Sequence, residues 1–388
     1  MMREEKKENK KKFNWAGLLV FVLLVIAGGI CGMFMGKYLG ETAFDAGDVG
    51  TLILYIAGAL IAVYASSFIH IILHEGGHLV FGLLTGYKFS SFRIGSFMWI
   101  KKDGKTVFKR FSLAGTGGQC LMCPPDITGD KYPFFWYNVG GCLANLFFAG
   151  IALAVSFLCS GLGIFVSVLR VFAVIGIALA IVNGIPLGMG GIDNDGSNTV
   201  AIGKSPKARK AFWLMMKINE QVALGVRIKD MPEEWFELPD EDDMNNTMVS
   251  STAVFKCNKL MDEMKFEEAD KLMEELVNNK KVKMPGVYKN LLKNDIIFCE
   301  LVGENKTERI EKFFDKEQKA FMKSMKKFPS VLRTGYAYFL LAKKDDAEAN
   351  KVLALFDKMA KTYPNKADID SERELLEYAL KIYENIEM

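Results

Sequence analysis

The first half of the chain contains four apolar runs, and each is long enough to cross a lipid bilayer as an α-helix. They are residues 15–35, 51–84, 134–158 and 164–187. One helical crossing needs roughly 20 apolar residues. A secretory signal peptide is the alternative for the first run, but that run is longer than the usual apolar segment and no clear cleavage site follows it. We therefore predict a polytopic membrane protein with about four spans.

Lysine and arginine are concentrated in the segments expected on one side of these spans. Six precede the first span and eight lie between the second and third, whereas the segment 37–50 has one lysine and three acidic residues. Because short cytoplasmic loops carry the excess of basic residues, both termini are expected in the cytoplasm. Arg170 is the exception, since it lies inside the fourth run unless that span begins near Val171.

This topology divides the chain into three parts. Residues 1–13 form a basic cytoplasmic tail, residues 14–203 form the membrane-embedded domain and residues 204–388 form a cytoplasmic α-helical domain. The predicted fold class is mainly α, with a polytopic helical membrane core, a small cytoplasmic β-hairpin element and a loosely tetratricopeptide-like C-terminal domain.

The β element is predicted between the second and third spans. Residues 89–100 and 106–113 alternate between apolar and polar types, and Asp103-Gly104 lies between them. Asp-Gly between two such segments is a hairpin signal. A loop into the third span is expected next, because glycines and prolines follow at Gly115, Gly117, Gly118, Pro124 and Pro125.

The seven cysteines form no recognisable disulfide framework. Cys120 and Cys123 make a single C-x-x-C sequence. A structural zinc site needs four ligands, and the chain has no second such pair. Metal binding by this pair is therefore only weakly indicated.

The C-terminal domain is predicted to consist of stacked helical hairpins. Apolar residues recur with helical spacing in residues 255–264, 267–277, 287–301, 332–341 and 347–359. Residues 265–272 resemble part of a tetratricopeptide repeat, although no regular 34-residue period is present, and an irregular helical bundle is the alternative. A basic and aromatic stretch, residues 207–213, is expected either to lie along the membrane surface or to begin an ordinary helix.

The sequence His74-Glu75-Gly76-Gly77-His78 lies in the second apolar run. Residues four apart share one face of a helix, so the two histidines can bind one metal ion while Glu75 reaches its water. The chain's other histidine, His70, lies four residues earlier. Ionisable residues inside an apolar span are costly and indicate a functional site.

A catalytic zinc ion needs a third protein ligand. The candidates follow the fourth run, in Asn183-Gly184-Ile185-Pro186 and Gly190-Gly191-Ile192-Asp193-Asn194-Asp195-Gly196. By topology this segment lies towards the same membrane face as the two histidines. Either Asp193 or Asp195 could be the third ligand.

Together these motifs resemble the site-2 protease family of intramembrane zinc metalloproteases. The resemblance covers about residues 51–198 and includes a glycine-rich segment that ends in asparagine, Gly140-Gly141-Cys142-Leu143-Ala144-Asn145. It implies a zinc ion bound by His74, His78 and Asp195, with Glu75 as general base and Asn183 near the scissile peptide. The sequence departs from the family pattern in a long Pro186–Asp195 spacing and in a glycine, Gly141, where a proline is usual.

The expected function is therefore hydrolysis of peptide bonds in transmembrane or membrane-proximal substrates, with a substrate segment added to the hairpin as an extra strand. The expected partners are that substrate, the lipid bilayer and a protein bound to the helical domain, with no nucleic acid. A bacterial plasma membrane is the expected location. Two alternatives are a non-catalytic membrane scaffold and a metal transporter; the intact Glu75 disfavours the first, and the presence of one site rather than a path disfavours the second.

Overall fold

The computed structural model describes residues 15–42, 49–102, 104–111, 117–129, 131–159, 161, 163–186 and 194–387. The basic tail at residues 1–13, Asp103 and the rival ligand Asp193 lie outside these residues. The chain divides into two compact units, one of residues 1–70 and 142–197 and the other of residues 71–141 and 198–388.

Four helices are long and apolar enough to cross a membrane, as predicted. They are α1 (Trp15–Thr42), α2 (Val49–Leu84), α3 (Phe134–Leu158) and α4 (Gly163–Gly184). Most of their large apolar side chains are exposed, which suits contact with lipid rather than water. The fourth ends at Gly184 instead of residue 187, because Pro186 follows and lacks the amide that would continue the helix.

In the first unit, α1 packs against α4. Cys31 and Met35 of α1 form a buried cluster with Val171 and Ile175 of α4. Arg170 is half-buried, and its guanidinium carbon lies 5.6 Å from the ring centroid of Phe34. The helix begins at Gly163, close to the predicted start of the fourth span at residue 164, so the alternative of a shorter span that begins near Val171 does not hold and Arg170 lies within the helix.

The second unit contains an antiparallel sheet of order β3-β2-β1-β4. Its strands are β1 (Lys88–Ile94), β2 (Phe97–Lys102), β3 (Lys105–Arg110) and β4 (Gly118–Cys123). The predicted hairpin is confirmed as β2–β3. The predicted first segment is instead two strands, because the chain turns at Gly95 with a φ of 57°. Residues 118–123, expected in a loop, form β4.

The C-terminal part of the chain is helical, as predicted. Its helices are α5 (Asp195–Lys204), α6 (Pro206–Ala223), α7 (Thr247–Asp262), α8 (Phe266–Asn278), α9 (Gly286–Val302), α10 (Thr307–Phe313), α11 (Lys316–Ser324), α12 (Pro329–Ala337), α13 (Asp346–Ala360) and α14 (Lys366–Glu387). The basic and aromatic stretch forms the start of α6, where Ala208 and Ala211 are buried. One face of that stretch is therefore covered by protein.

The sheet packs against the C-terminal helices within the second unit. At its β3 end, the Lys109 ammonium donates to the main-chain oxygens of Tyr363 and Pro364 over 3.0 and 3.1 Å. At its β4 end, Cys120 and Met122 share a buried cluster with Met216 of α6. The sheet is thus held at both edges.

Candidate metal centre

His74 and His78 lie on one face of α2, and their ring nitrogens meet. The two Nε2 atoms are 3.1 Å apart, and the rings pack edge to face with centroids 4.7 Å apart. Two nitrogen ligands of a tetrahedral zinc ion, each bound at about 2.0–2.1 Å, would lie about 3.3 Å apart. The histidine pair therefore has the spacing that a shared zinc ion requires.

The ring of His78 is oriented by α3. Its Nδ1 lies 2.7 Å from the main-chain oxygen of Tyr137. A carbonyl oxygen can only accept, so Nδ1 carries the proton and Nε2 is the unprotonated nitrogen of the neutral ring. Metal-binding histidines are held in the same way, by a hydrogen bond from the second ring nitrogen.

Tyr137 is itself fixed within the second unit. Its hydroxyl donates to the main-chain oxygen of Cys120 over 2.9 Å, and its ring stacks on Tyr87 with centroids 4.8 Å apart. Because Cys120 lies in β4, the orientation of His78 depends on the sheet as well as on α3.

Two glycines of α3 provide the space that the histidines occupy. A Cβ at Gly141 would lie 2.6 Å from both Cε1 of His74 and Nε2 of His78, and a Cβ at Gly140 would lie 2.7 Å from the main-chain oxygen of Gly77. These separations are shorter than real Cβ contacts. A side chain at position 141 would push into the imidazoles.

Glu75 points to the start of β4. A Cβ at Gly118 would lie 2.7 Å from Cγ of Glu75 and 2.8 Å from its Oε1. The carboxyl group therefore rests against the main chain of the sheet, and its contact is possible only because Gly118 has no side chain. This position, one residue after His74, suits a group that takes a proton from water.

A buried arginine carries the charge opposite Glu75. Arg93 of β1 is only 1% exposed, and its Nη1 donates to the main-chain oxygen of Gly95 over 2.8 Å. Burial lowers the pKa of Arg93, and the Glu75 carboxylate opposes that shift. From the sequence, Arg93 was expected only to be one of the basic residues of a cytoplasmic loop. No sequence pattern in β1 distinguishes Arg93 from the other basic residues of this segment.

His70 has a structural role in the first unit. Its Nδ1 lies 3.1 Å from Oδ1 of Asn145, and its Nε2 lies 3.0 Å from the main-chain oxygen of Phe172. The side chain is fully buried, and a Cβ at Gly176 would overlap its ring. With both ring nitrogens engaged by protein groups, His70 links α2, α3 and α4.

Asp195 is the first residue of α5, and its main chain is fixed against the end of α4. The Asn194 side chain donates to the main-chain oxygens of Val182 and Ile185 over 2.7 and 2.6 Å. A Cβ at Gly196 would overlap the main chain of Gly184. The Oδ2 atom of Asp195 is buried.

Cys142 and Asn183 are two further polar residues of the first unit near this segment. The Cys142 thiol is buried and interacts electrostatically with Asp195. The Asn183 side chain donates to the main-chain oxygen of Leu179 over 3.0 Å within α4. Asn183 therefore lies on the last turn of α4, just before the segment that leads to Asp195.

Cys120 and Cys123 do not behave as a reactive pair. Both thiols are buried in β4, and burial raises the pKa of each to about 12. Residues three apart on a strand point to opposite faces, so they cannot chelate one ion together. Thiols with such a high pKa remain protonated and unreactive.

Among the described residues, each unit has side chains of the kind that hold a metal ion: the second unit has His74 and His78, and the first unit has Cys142 and Asp195. Imidazole, thiolate and carboxylate are all ordinary zinc ligands. The sequence analysis did not identify Cys142 as a candidate metal ligand, although its position inside the glycine-rich segment could have indicated one.

Comparison with known protein families, with characterised proteins and with solved structures found no match to this chain.

Proposed function

We propose that this chain is an intramembrane zinc metalloprotease of the site-2 protease type. The observation that carries the proposal is the His74–His78 pair, with Nε2 atoms 3.1 Å apart and the His78 ring held through Nδ1 by the Tyr137 carbonyl. A pair of imidazoles prepared in this way inside an apolar helix, with His78 buried and His74 half-buried, is suited to metal binding.

The proposed ligands are His74, His78 and Asp195, with Cys142 as the rival for the third position. A bound zinc ion supplies a Lewis acid and lowers the pKa of a water molecule towards neutrality. The donor set fits that ion, because it combines neutral imidazoles with one anionic group. Asn183 is proposed to contact the main chain of the substrate near the scissile bond.

Glu75 is the proposed general base. Its carboxylate takes the proton of the attacking water and later donates it to the leaving nitrogen of the cleaved peptide. Gly118 and the buried cation of Arg93 support this role, since the first leaves room for the carboxylate and the second favours its charged form.

The substrate is proposed to add to β4 rather than to the β2–β3 hairpin. β4 is an edge strand, paired only with β1 among the described strands, and its first residue contacts Glu75. A transmembrane helix must unwind before its peptide bonds become accessible, and an added strand would hold the unwound segment by main-chain hydrogen bonds.

We also propose a membrane location for the chain and a role for its C-terminal helices. Both termini are proposed to lie in the cytoplasm, because the excess of lysine and arginine falls in the segments on that side of the spans, and the membrane is proposed to be a bacterial plasma membrane. The C-terminal helices are proposed to be a degenerate tetratricopeptide-like array that recruits or regulates through a protein partner.

Zinc content tests the metal site without reference to activity. We expect about one zinc ion per chain in the detergent-purified protein, the stoichiometry of a single catalytic site. His74→Ala and His78→Ala should lose it. Of Cys142→Ser, Asp193→Asn and Asp195→Asn, only Asp195→Asn should do so. A folded wild-type protein without zinc would reject the metal site.

Cleavage of synthetic transmembrane peptides in micelles, followed by mass spectrometry, tests the activity. The wild-type protein should cut a subset of these peptides, and Glu75→Gln should be slower by about 10²–10⁴-fold while it keeps its zinc. Undiminished cleavage by Glu75→Gln would remove Glu75 as the base.

A further inference from the structure

The C-terminal helices enclose a cavity of about 330 Å³ that the proposed protease function does not use. Its walls come mainly from α6, α7, α9, α14 and the start of α12. Apolar side chains such as Val254, Leu292 and Leu375 form part of the lining. The volume lies within the range of small-ligand pockets.

The charged side chains that face this cavity are unbalanced. Five line it, and only one is a cation: Asp262, Asp295, Arg333, Asp368 and Glu372. Arg227, which lies outside the lining, neutralises Asp262, and Ser371 also donates to that carboxylate. Arg333 binds Asp295, to which the Asn294 amide also donates over 3.2 Å.

The negative charge left over lies on Asp368 and Glu372. They are four residues apart on α14 and so share one face of that helix. Asp368 accepts a hydrogen bond from the Asn365 amide over 3.1 Å. Glu372 has an ion-pair contact with Arg333, whose Nε lies 3.4 Å from its Oε2.

The contact between Arg333 and Glu372 leaves hydrogen-bonding capacity unused at the cavity wall. Arg333 is 1% exposed; among the described residues its Nε donates no hydrogen bond and the Glu372 Oε2 accepts none, so these two atoms are joined by the ion-pair contact alone. Burial raises the pKa of Glu372 to about 7 and that of Asp368 to about 6. Burial outweighs the Arg333 cation beside Glu372 and the Asn365 hydrogen bond to Asp368, so a further cation next to these two carboxyl groups would favour their charged forms.

We propose that this cavity binds a cationic nitrogen of a ligand, a guanidinium or ammonium group on an apolar stem, between Asp368 and Glu372. The cation would balance the surplus charge, and the stem would lie along the apolar wall. An anionic ligand would meet four carboxylates, and Arg333 is already paired with two of them. A calcium ion would need six to eight oxygen ligands around one point, whereas two of the four carboxylates are already bound by Arg227 and Arg333.

A free amine and a basic side chain of a peptide share this chemistry, and binding measurements can separate them. The full-length protein in non-ionic detergent at neutral pH is titrated with Ac-Leu-Arg-Leu-NH₂, with its neutral citrulline analogue and with agmatine. We expect the arginine peptide or agmatine to bind at least about tenfold more tightly than the citrulline peptide, the scale of one charge-assisted hydrogen bond. Tighter binding of the peptide identifies a peptide ligand, and tighter binding of agmatine identifies a free amine.

Variants of α14 assign the binding to this cavity. Asp368→Asn and Glu372→Gln should each weaken binding of the cationic probe by about tenfold or more. Glu377→Gln, on an exposed position of the same helix, should leave it unchanged. Thermal unfolding checks that each variant is folded.

Equal binding of the arginine and citrulline peptides, no binding of either cationic probe, or unchanged binding by folded Asp368→Asn and Glu372→Gln would each overturn the proposal. The measurement needs neither zinc nor proteolysis, so its result is independent of the proposed protease activity.

Discussion

His78 donates a hydrogen bond from Nδ1 to the main-chain oxygen of Tyr137, and this bond determines which of its ring nitrogens faces His74. The acceptor is a main-chain atom, so this hydrogen bond depends on the path of α3 and not on the identity of the side chain at position 137. Changes in the packing of α2 against α3 should therefore affect metal binding directly.

Gly141→Ala tests this dependence. The added Cβ would lie 2.6 Å from both imidazoles, so the rings must move and the zinc affinity should fall by about 10–100-fold, the usual effect of disturbing the groups that orient metal ligands. Gly150→Ala on the same helix is the control, because its Cβ meets no atom within 4 Å. Competition with a zinc chelator measures both affinities, and equal values would contradict the prediction.

Gly118→Ala should separate proteolysis from metal binding. Its Cβ would displace the Glu75 carboxyl group, which the present geometry brings within 2.8 Å of that position, but it lies on the sheet rather than beside the imidazoles. A misplacement of about 1 Å can reduce a catalysed rate by ~10²-fold. We expect peptide cleavage to fall on that scale while zinc content stays at its wild-type level; loss of zinc would show that the effect is not specific to Glu75.

His70→Ala should lower stability without affecting zinc. The substitution removes the contacts to Asn145 and Phe172 and leaves a cavity among α2, α3 and α4. A loss on the order of 2–4 kcal/mol is expected, as for other large-to-small changes of buried side chains. Thermal unfolding and zinc content are measured on one preparation, and a variant that lost its zinc while still folded would give His70 a direct role in the metal site.

Glu372 should make the C-terminal helices less stable as the pH rises. The ordinary pKa of 4.5 applies to the unfolded chain, whereas burial raises the pKa to about 7 in the folded protein. Between these values the folded state holds the proton more tightly, so the free energy of unfolding falls as the pH increases from about 4.5 to about 7, by on the order of 2 kcal/mol.

Denaturant unfolding across that pH range checks this sign. Glu372→Gln should make the decrease smaller, because the amide does not titrate and Asp368, whose pKa burial raises to about 6, still contributes at the lower end of the range. The exposed Glu377→Gln should retain the full decrease. A steeper decrease in Glu372→Gln than in the wild type would contradict the assignment to this carboxyl group.

The sequence predicted best those features that depend on a local pattern of residue types. The length and apolar character of the four runs predicted α1 to α4, and the four-residue spacing of His74 and His78 predicted that they share a face. Asp103-Gly104 similarly predicted the β2–β3 turn.

What the sequence could not predict depends on partners that are distant along the chain. β4 was missed because Gly118 and Pro124 flank a short segment that becomes a strand only by pairing with β1. The sequence shows Arg93 only as one basic residue of a loop. Its burial and its interaction with Glu75 are visible only in the folded protein. The need for glycine at position 141 arises from imidazoles more than sixty residues earlier, which no local pattern encodes.

The length of α2 has a consequence for the lipid environment. A helix of 36 residues extends about 54 Å at 1.5 Å per residue, whereas the hydrocarbon core of a bilayer is about 30 Å thick. The helix must tilt or protrude, and its tilt sets how far below the headgroups His74 and His78 lie. Thickening or thinning the bilayer with lipids of different acyl-chain length should therefore raise or lower the histidine pair in the membrane; under the proposed function, membrane thickness itself would then control which peptide bonds come within reach.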